Sequence, residues 1–72
     1  MPVWISLNGE RRALEPGPGA TLPAVLALLG IAPDARGVAV AVDGAVVPRQ
    51  DWAATELAQG ARVEVLTAAQ GG

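Results

Sequence analysis

The strongest constraint on the fold lies at the start of the chain, where two alternating segments flank an Asn-Gly pair. Residues 3–8 place an apolar side chain at every second position, which is the pattern of a half-buried strand. Asn8-Gly9 favours a tight hairpin turn, and residues 10–15 return as a second strand. In that register Ile5 faces Arg12, so either the aliphatic stem of Arg12 covers the edge of the core or the loop is longer.

One short amphipathic helix is predicted after the Pro- and Gly-rich connection at residues 16–19. Thr21 is a candidate N-cap, and Gly30 is a candidate stop in the left-handed conformation. The apolar face of the helix is formed by residues at helical spacing: Leu22, Val25, Leu26 and Leu29.

The second half of the chain predicts three more strands. Residues 38–42 alternate Val with Ala, which indicates a strand inside a sheet, and Asp43-Gly44 turns the chain into a short strand that Pro48 ends. Residues 49–53 form one helical turn, and residues 62–66 form the last strand. This order predicts an α+β fold, with a mixed sheet of about five strands and one helix across one face. That is the β-grasp arrangement, with residues 1–67 as the domain and residues 68–72 as a tail.

The composition excludes several classes of function. The chain has no Cys, His, Lys or Tyr, and its only Ser, Ser6, lies in a predicted strand without a base beside it. We therefore expect no catalysis by this chain alone and no metal site. The five Arg residues are scattered and the net charge is −2, which argues against nucleic-acid binding. No segment is long enough to span a membrane and none resembles a signal peptide, so we expect a cytoplasmic protein.

The C-terminal segment Ala68-Ala69-Gln70-Gly71-Gly72 is the one feature that packing does not explain. Terminal glycines bury nothing and lose much backbone entropy when ordered. An extended segment of this length reaches roughly 15–18 Å, and without Cβ atoms it fits a narrow cleft. The segment is therefore either a carboxylate carrier that enters partner enzymes or an ordinary frayed end.

The two tryptophans and one arginine are candidates for more specific roles. Trp52 is expected to fill the core beneath the sheet. Trp4 points away from the helix, and with Leu66 it is a candidate for an exposed apolar patch that binds a partner. Arg49 is expected to form a surface ion pair with Asp51, the alternative being an anchor for a partner or for the tail.

Taken together, these residues resemble a known family. The run Val46-Val47-Pro48-Arg49, Trp52 and the terminal Gln70-Gly71-Gly72 are similar to ThiS, the ubiquitin-like sulfur carrier of thiamine biosynthesis. The valine-rich segment 38–42 and the opening segment 7–10 are also similar, so the resemblance covers essentially the whole chain.

The resemblance implies a carrier chemistry centred on Gly72. A ThiF-like adenylyltransferase would use ATP and magnesium to convert the Gly72 carboxylate to an acyl-adenylate. A persulfide sulfur, supplied ultimately by a cysteine desulfurase, would displace AMP and leave a thiocarboxylate for a ThiG-like thiazole synthase. Ala68, Ala69, Gln70 and Gly71 would thread the partner clefts, and the chain itself would bind no cofactor.

Three alternatives remain open at this point. A small subunit of molybdopterin synthase, MoaD-like, would share the fold and the terminal Gly-Gly but deliver its sulfur to a pterin precursor. A ubiquitin-like modifier would join its terminus to target lysines. A β-grasp interaction module would carry Gly-Gly incidentally.

Overall fold

A computed structural model describes residues 1–17 and 20–68. The elements, in chain order, are β1 (Val3–Leu7), β2 (Glu10–Leu14), α1 (Leu22–Leu28), β3 (Val38–Val42), β4 (Ala45–Val46), a 3-10 turn (Arg49–Asp51) and β5 (Arg62–Thr67). The strands form one 5-stranded sheet in the order β2-β1-β5-β3-β4. Only the β1–β5 pair is parallel among these neighbours. The predicted mixed sheet with one helix is confirmed.

The first tight turn sets the register of β1 and β2 as the sequence predicts. Leu7 pairs with Glu10 and Ile5 with Arg12, so the first loop consists of Asn8 and Gly9 alone. Asn8 and Gly9 have φ values of 50° and 86°, the left-handed pair that a tight hairpin requires. The Arg12 side chain is 34% exposed, so part of it lies against the edge of the core. Of the two predicted alternatives, the structure therefore has the partly buried Arg12 and not the longer loop.

The core lies between the helix and one face of the sheet. Leu22, Val25 and Leu26 of α1 are fully buried, as predicted. They pack with sheet residues that share the same face: Ile5, Leu7, Val40, Val63 and Val65. Leu57, Ala20 and Ala61, which lie outside the regular elements, complete this core, and their loop sequences gave no periodic signal for it.

The prediction that Leu29 belongs to the apolar helix face is wrong. The helix ends at Leu28, and Leu29 is the C-cap with 37% exposure. The N–H of Gly30 donates to the carbonyl of Ala27, and the N–H of Ile31 donates to that of Leu26. This pattern reverses the chain at Gly30, as predicted, and packs Ile31 against the core where Leu29 was expected.

Trp52 fills the core at the far side of the 3-10 turn. Its side chain is 4% exposed, and the indole Nε1–H donates to the carbonyl oxygen of Val47 at 2.9 Å. The ring therefore combines apolar burial with a satisfied polar edge, which confirms the predicted core role.

Candidate functional site

The predicted tail follows the central strand of the sheet in the sequence, and we call the C-terminal end of this strand the exit. Strand β5 ends at Thr67, which pairs with Val38 of β3. Ala68 follows, and its N–H donates to the carbonyl oxygen of Gly37 at 2.6 Å. This bond continues the β3–β5 ladder by one rung beyond the strand. Of the predicted tail, Ala69, Gln70, Gly71 and Gly72 lie outside the described residues.

The first hairpin turn supports β5 just before this exit. Because β1 and β5 are parallel, the Asn8-Gly9 turn lies at the same end of the sheet as the exit. The Asn8 side chain accepts a hydrogen bond from the N–H of Val65 at 2.8 Å and donates one to its carbonyl oxygen at 3.1 Å. Sequence reasoning assigned Asn8 only to the turn, because side-chain contacts to a distant strand leave no local pattern.

An apolar surface flanks the exit on the face of the sheet that the helix leaves open. Leu66 is 69% exposed and Val46 is 76% exposed. With Ala39 and Ala41 they line one shallow hollow, bordered by Glu64, and we call these four apolar residues the exit patch. The exit patch spans three neighbouring strands, since Leu66 pairs with Ala39 and Val46 with Ala41.

Trp4 is exposed on the same open face but does not join Leu66 in one patch. The parallel register pairs Ser6 with Arg62, which sets Trp4 level with Gly60, before β5 begins. Leu66 lies about 20 Å further along the strand direction. Trp4 is 39% exposed, and its ring lies under the guanidinium of Arg11 with 4.3 Å between Cζ and the ring centroid. The expected joint patch is therefore wrong, because its two members occupy opposite ends of the sheet.

Arg49 holds a loop instead of the predicted ion pair with Asp51. Its guanidinium lies over the Trp52 ring, with Cζ 4.4 Å from the centroid. Its Nη1 donates to the carbonyl oxygen of Pro33 at 2.6 Å, and its Nη2 donates to that of Ala35. In the described part of the chain, the one ion pair joins Arg12 and Glu10 at 3.8 Å. The forked donor geometry of Arg suits two carbonyl groups on one loop, which a local charge pattern could not reveal.

The acidic side chains offer no catalytic arrangement in the described segments. All seven Asp and Glu residues are exposed. Buried polar or charged side chains are absent from residues 1–17 and 20–68, and so is any cluster of three or more groups that could hold a metal ion. The described residues therefore include no buried acid or base. In the same segments, no helix has the length and apolar character needed to cross a membrane.

Comparison with known proteins connects this geometry to a family. The sequence model of the ThiS family matches residues 5–72. The fold is similar to the crystal structure of the thiamine biosynthesis protein (ThiS) from Geobacter metallireducens, with a TM-score of 0.73 and 27% sequence identity. That similarity covers 97% of this chain and 100% of the other. No curated protein matched the sequence. Because the family match extends over nearly the whole chain, this protein belongs to the ThiS family, and its sheet and helix form the ubiquitin-like β-grasp fold.

Proposed function

We propose that this protein is a sulfur carrier of thiamine biosynthesis and that the carboxylate of Gly72 is its working group. The observation that carries the proposal is the position of β5. The strand that leads to the Gly-Gly terminus lies at the centre of the sheet and is held on both sides, by β1 and β3. This strand carries the chain through the centre of the sheet to Ala68, and residues 69–72 follow Ala68 in the sequence.

The chemistry follows from the poor reactivity of a carboxylate. A ThiF-like adenylyltransferase, using ATP and magnesium, joins the Gly72 carboxylate to AMP and releases pyrophosphate. A persulfide sulfur, derived from a cysteine desulfurase, then attacks the acyl carbon and AMP leaves. Reductive cleavage of the resulting acyl disulfide by a thiol leaves a thiocarboxylate on Gly72, which donates its sulfur to a ThiG-like thiazole synthase. Gly71 and Gly72 carry no Cβ, so partner walls can approach the backbone at the reacting carbonyl.

The carrier contributes recognition, and its partners contribute catalysis. The exposed carboxylates and the lack of His, Cys and Lys leave the described residues without a buried acid, base or nucleophile. The nucleotide and the metal ion therefore bind to the activating enzyme, and this chain acts as a co-substrate in the cytoplasm.

The exit patch is the surface on which the activating enzyme docks in this proposal. An exposed Leu and Val beside two Ala make an apolar surface that no element of this chain covers among the described residues. Leu66 lies two positions before Ala68, so an enzyme seated there receives residues 69–72 directly. Glu64 at its border adds a negative charge, which selects a partner with a basic residue at the matching position.

Intact-mass spectrometry tests the proposal. The protein is incubated with a ThiF-like enzyme, ATP, magnesium, a persulfide source and a thiol reductant. The expected product has one oxygen replaced by sulfur, and fragmentation assigns the change to Gly72. A matched variant with Gly72 deleted should gain no sulfur. An isopeptide-linked ladder would instead identify a protein modifier, and transfer to a pterin precursor but not to the thiazole would identify a MoaD-like carrier. An unmodified mass under all conditions would leave only an interaction module.

A further inference from the structure

The loop before β3 connects an arginine fork to the tail exit. Arg49 donates to the carbonyl groups of Pro33 and Ala35, and its guanidinium is stacked on the buried Trp52 ring. One end of this contact is therefore anchored in the core, since Trp52 is 4% exposed and its Nε1 is bonded to Val47. The other end fixes two carbonyl groups of a loop that has no regular secondary structure.

The same loop supplies the carbonyl group that holds Ala68. Gly37 lies two positions after Ala35 and directly before β3, and its carbonyl oxygen accepts the Ala68 N–H at 2.6 Å. Gly37 has a φ of 73°, so the chain bends there in a conformation that the loop must maintain. A contact path thus runs from Trp52 through Arg49 and the loop to the first residue of the tail.

We propose that Arg49 is a positioning residue for the carrier reaction, because it fixes the loop that holds Ala68, the residue to which the tail is attached. This inference deepens the proposed function and rests on it for its catalytic consequence. When Arg49 no longer holds residues 33–35, the Gly37–Ala68 bond opens more often, and Ala68 is less often in its bonded position. A partner that recognises the bonded position then meets the competent form less often, which weakens its apparent affinity.

Arg49 can position the loop because its guanidinium is planar and has two separate donor nitrogens. A positive charge without this geometry would not be sufficient. Two carbonyl groups accept from the separate nitrogens Nη1 and Nη2 while the flat group stacks on the indole. A lysine ammonium is a point charge on a flexible stem, so it cannot hold both carbonyl groups in this geometry and stack in the same way. Arg49→Lys should therefore behave like Arg49→Gln.

Amide hydrogen exchange measured by NMR tests the positioning directly, without any partner enzyme. In Arg49→Gln the Ala68 amide should exchange about tenfold faster, after correction for the change at the Ser6 amide, which donates from β1 to the carbonyl oxygen of Ala61 and reports opening of the sheet. Arg36→Gln is the matched control, because it removes the same charge from the same loop and Arg36 makes none of the contacts described for Arg49. The temperature coefficient of the Ala68 amide shift gives a second measure within the folded state, should Arg49→Gln reduce overall stability.

Activation kinetics test the consequence for the reaction. With a ThiF-like enzyme, Arg49→Gln and Arg49→Lys should raise the KM for the carrier about threefold, the effect of a Gly37–Ala68 bond that is open in about two thirds of the molecules, with kcat unchanged. Arg36→Gln should leave both constants unchanged. The inference is overturned by an Ala68 amide that changes only as much as the Ser6 amide, by full rescue in Arg49→Lys, or by an unchanged KM. Failure of the wild-type protein to be activated at all would refute the carrier function instead, while the exchange result would still decide whether Arg49 holds the exit.

Discussion

The two faces of the sheet use the same strands for different purposes. On the helix side, Ile5 and Val63 are almost completely buried, and the large apolar side chains of the strands there pack in or against the core. On the open side, Leu66 and Val46 are mostly exposed although both are apolar. Packing within the chain explains why the helix-side residues are apolar. It does not explain why Leu66 and Val46 are apolar, because they are mostly exposed. The difference suggests that the open face is shaped by an interaction with another molecule.

The two Trp–Arg pairs sharpen this comparison. Both rings lie against a guanidinium at nearly the same separation, 4.3 Å for Trp4 and Arg11 and 4.4 Å for Trp52 and Arg49. Trp52 is 4% exposed while Trp4 is 39% exposed. The same residue pair therefore supports the core on one side of the sheet and remains at the surface on the other.

The largest effect is expected from Trp52→Ala on the packed side. Removing this ring should lower the free energy of unfolding by about 3–5 kcal/mol, because it leaves a cavity in a small core. Trp52→Phe is the matched control: it retains most of the apolar volume and loses the bond to Val47, so it should cost about 1 kcal/mol. Chemical denaturation measures both, and an equally small effect of the two variants would place the ring outside the stability core.

An intermediate effect, on partner binding, is expected from the exit patch. Leu66→Thr and Val46→Thr both place a β-branched residue in the strand, which suits a strand, but they remove apolar surface. Each should raise the KM for activation about tenfold, as loss of a well-packed interface contact does, with little change in thermal unfolding. Ala13→Thr, an exposed position of β2 away from the exit patch, is a control that should change neither quantity. Normal activation of the Leu66 and Val46 variants would remove the exit patch from the docking surface.

The smallest effect is expected from Trp4→Ala at the far end of the open face. The variant loses strand propensity and the stacking with Arg11, which together should cost about 1 kcal/mol in chemical denaturation. Its KM for activation should match that of the wild-type protein, because Trp4 lies at the end of the sheet opposite to the exit. A KM increase as large as that of Leu66→Thr would mean that the partner covers both ends of the face.

Local sequence patterns predicted most of the fold. The Asn8-Gly9 turn fixed the first register, and the alternation in residues 38–42 identified an interior strand, because both signals depend only on neighbouring residues. Trp52 was predicted correctly since a large aromatic ring in a small domain is usually needed in the core.

The errors concern contacts between residues far apart in the chain. Trp4 and Leu66 alternate correctly toward the open face, but only the parallel β1–β5 register shows that they lie at opposite ends. Arg49 lies near Asp51 in sequence, yet its partners are carbonyl groups of a loop at residues 33–35. Leu29 fits the helical period, but the chain reverses at Gly30, so Leu29 lies outside the core. Long-range register and loop geometry are not encoded in any local period, so sequence reasoning could not supply them.

The most direct test of the carrier function compares the wild-type protein with the Gly72 deletion in two measurements on the same samples. Thermal unfolding should be nearly identical for both proteins, because a terminal glycine has no side chain to bury in the core. After incubation with the activating enzyme, ATP and a persulfide source, only the wild-type mass should show oxygen replaced by sulfur. Sulfur on the truncated chain, or a large loss of stability on deletion, would contradict the account.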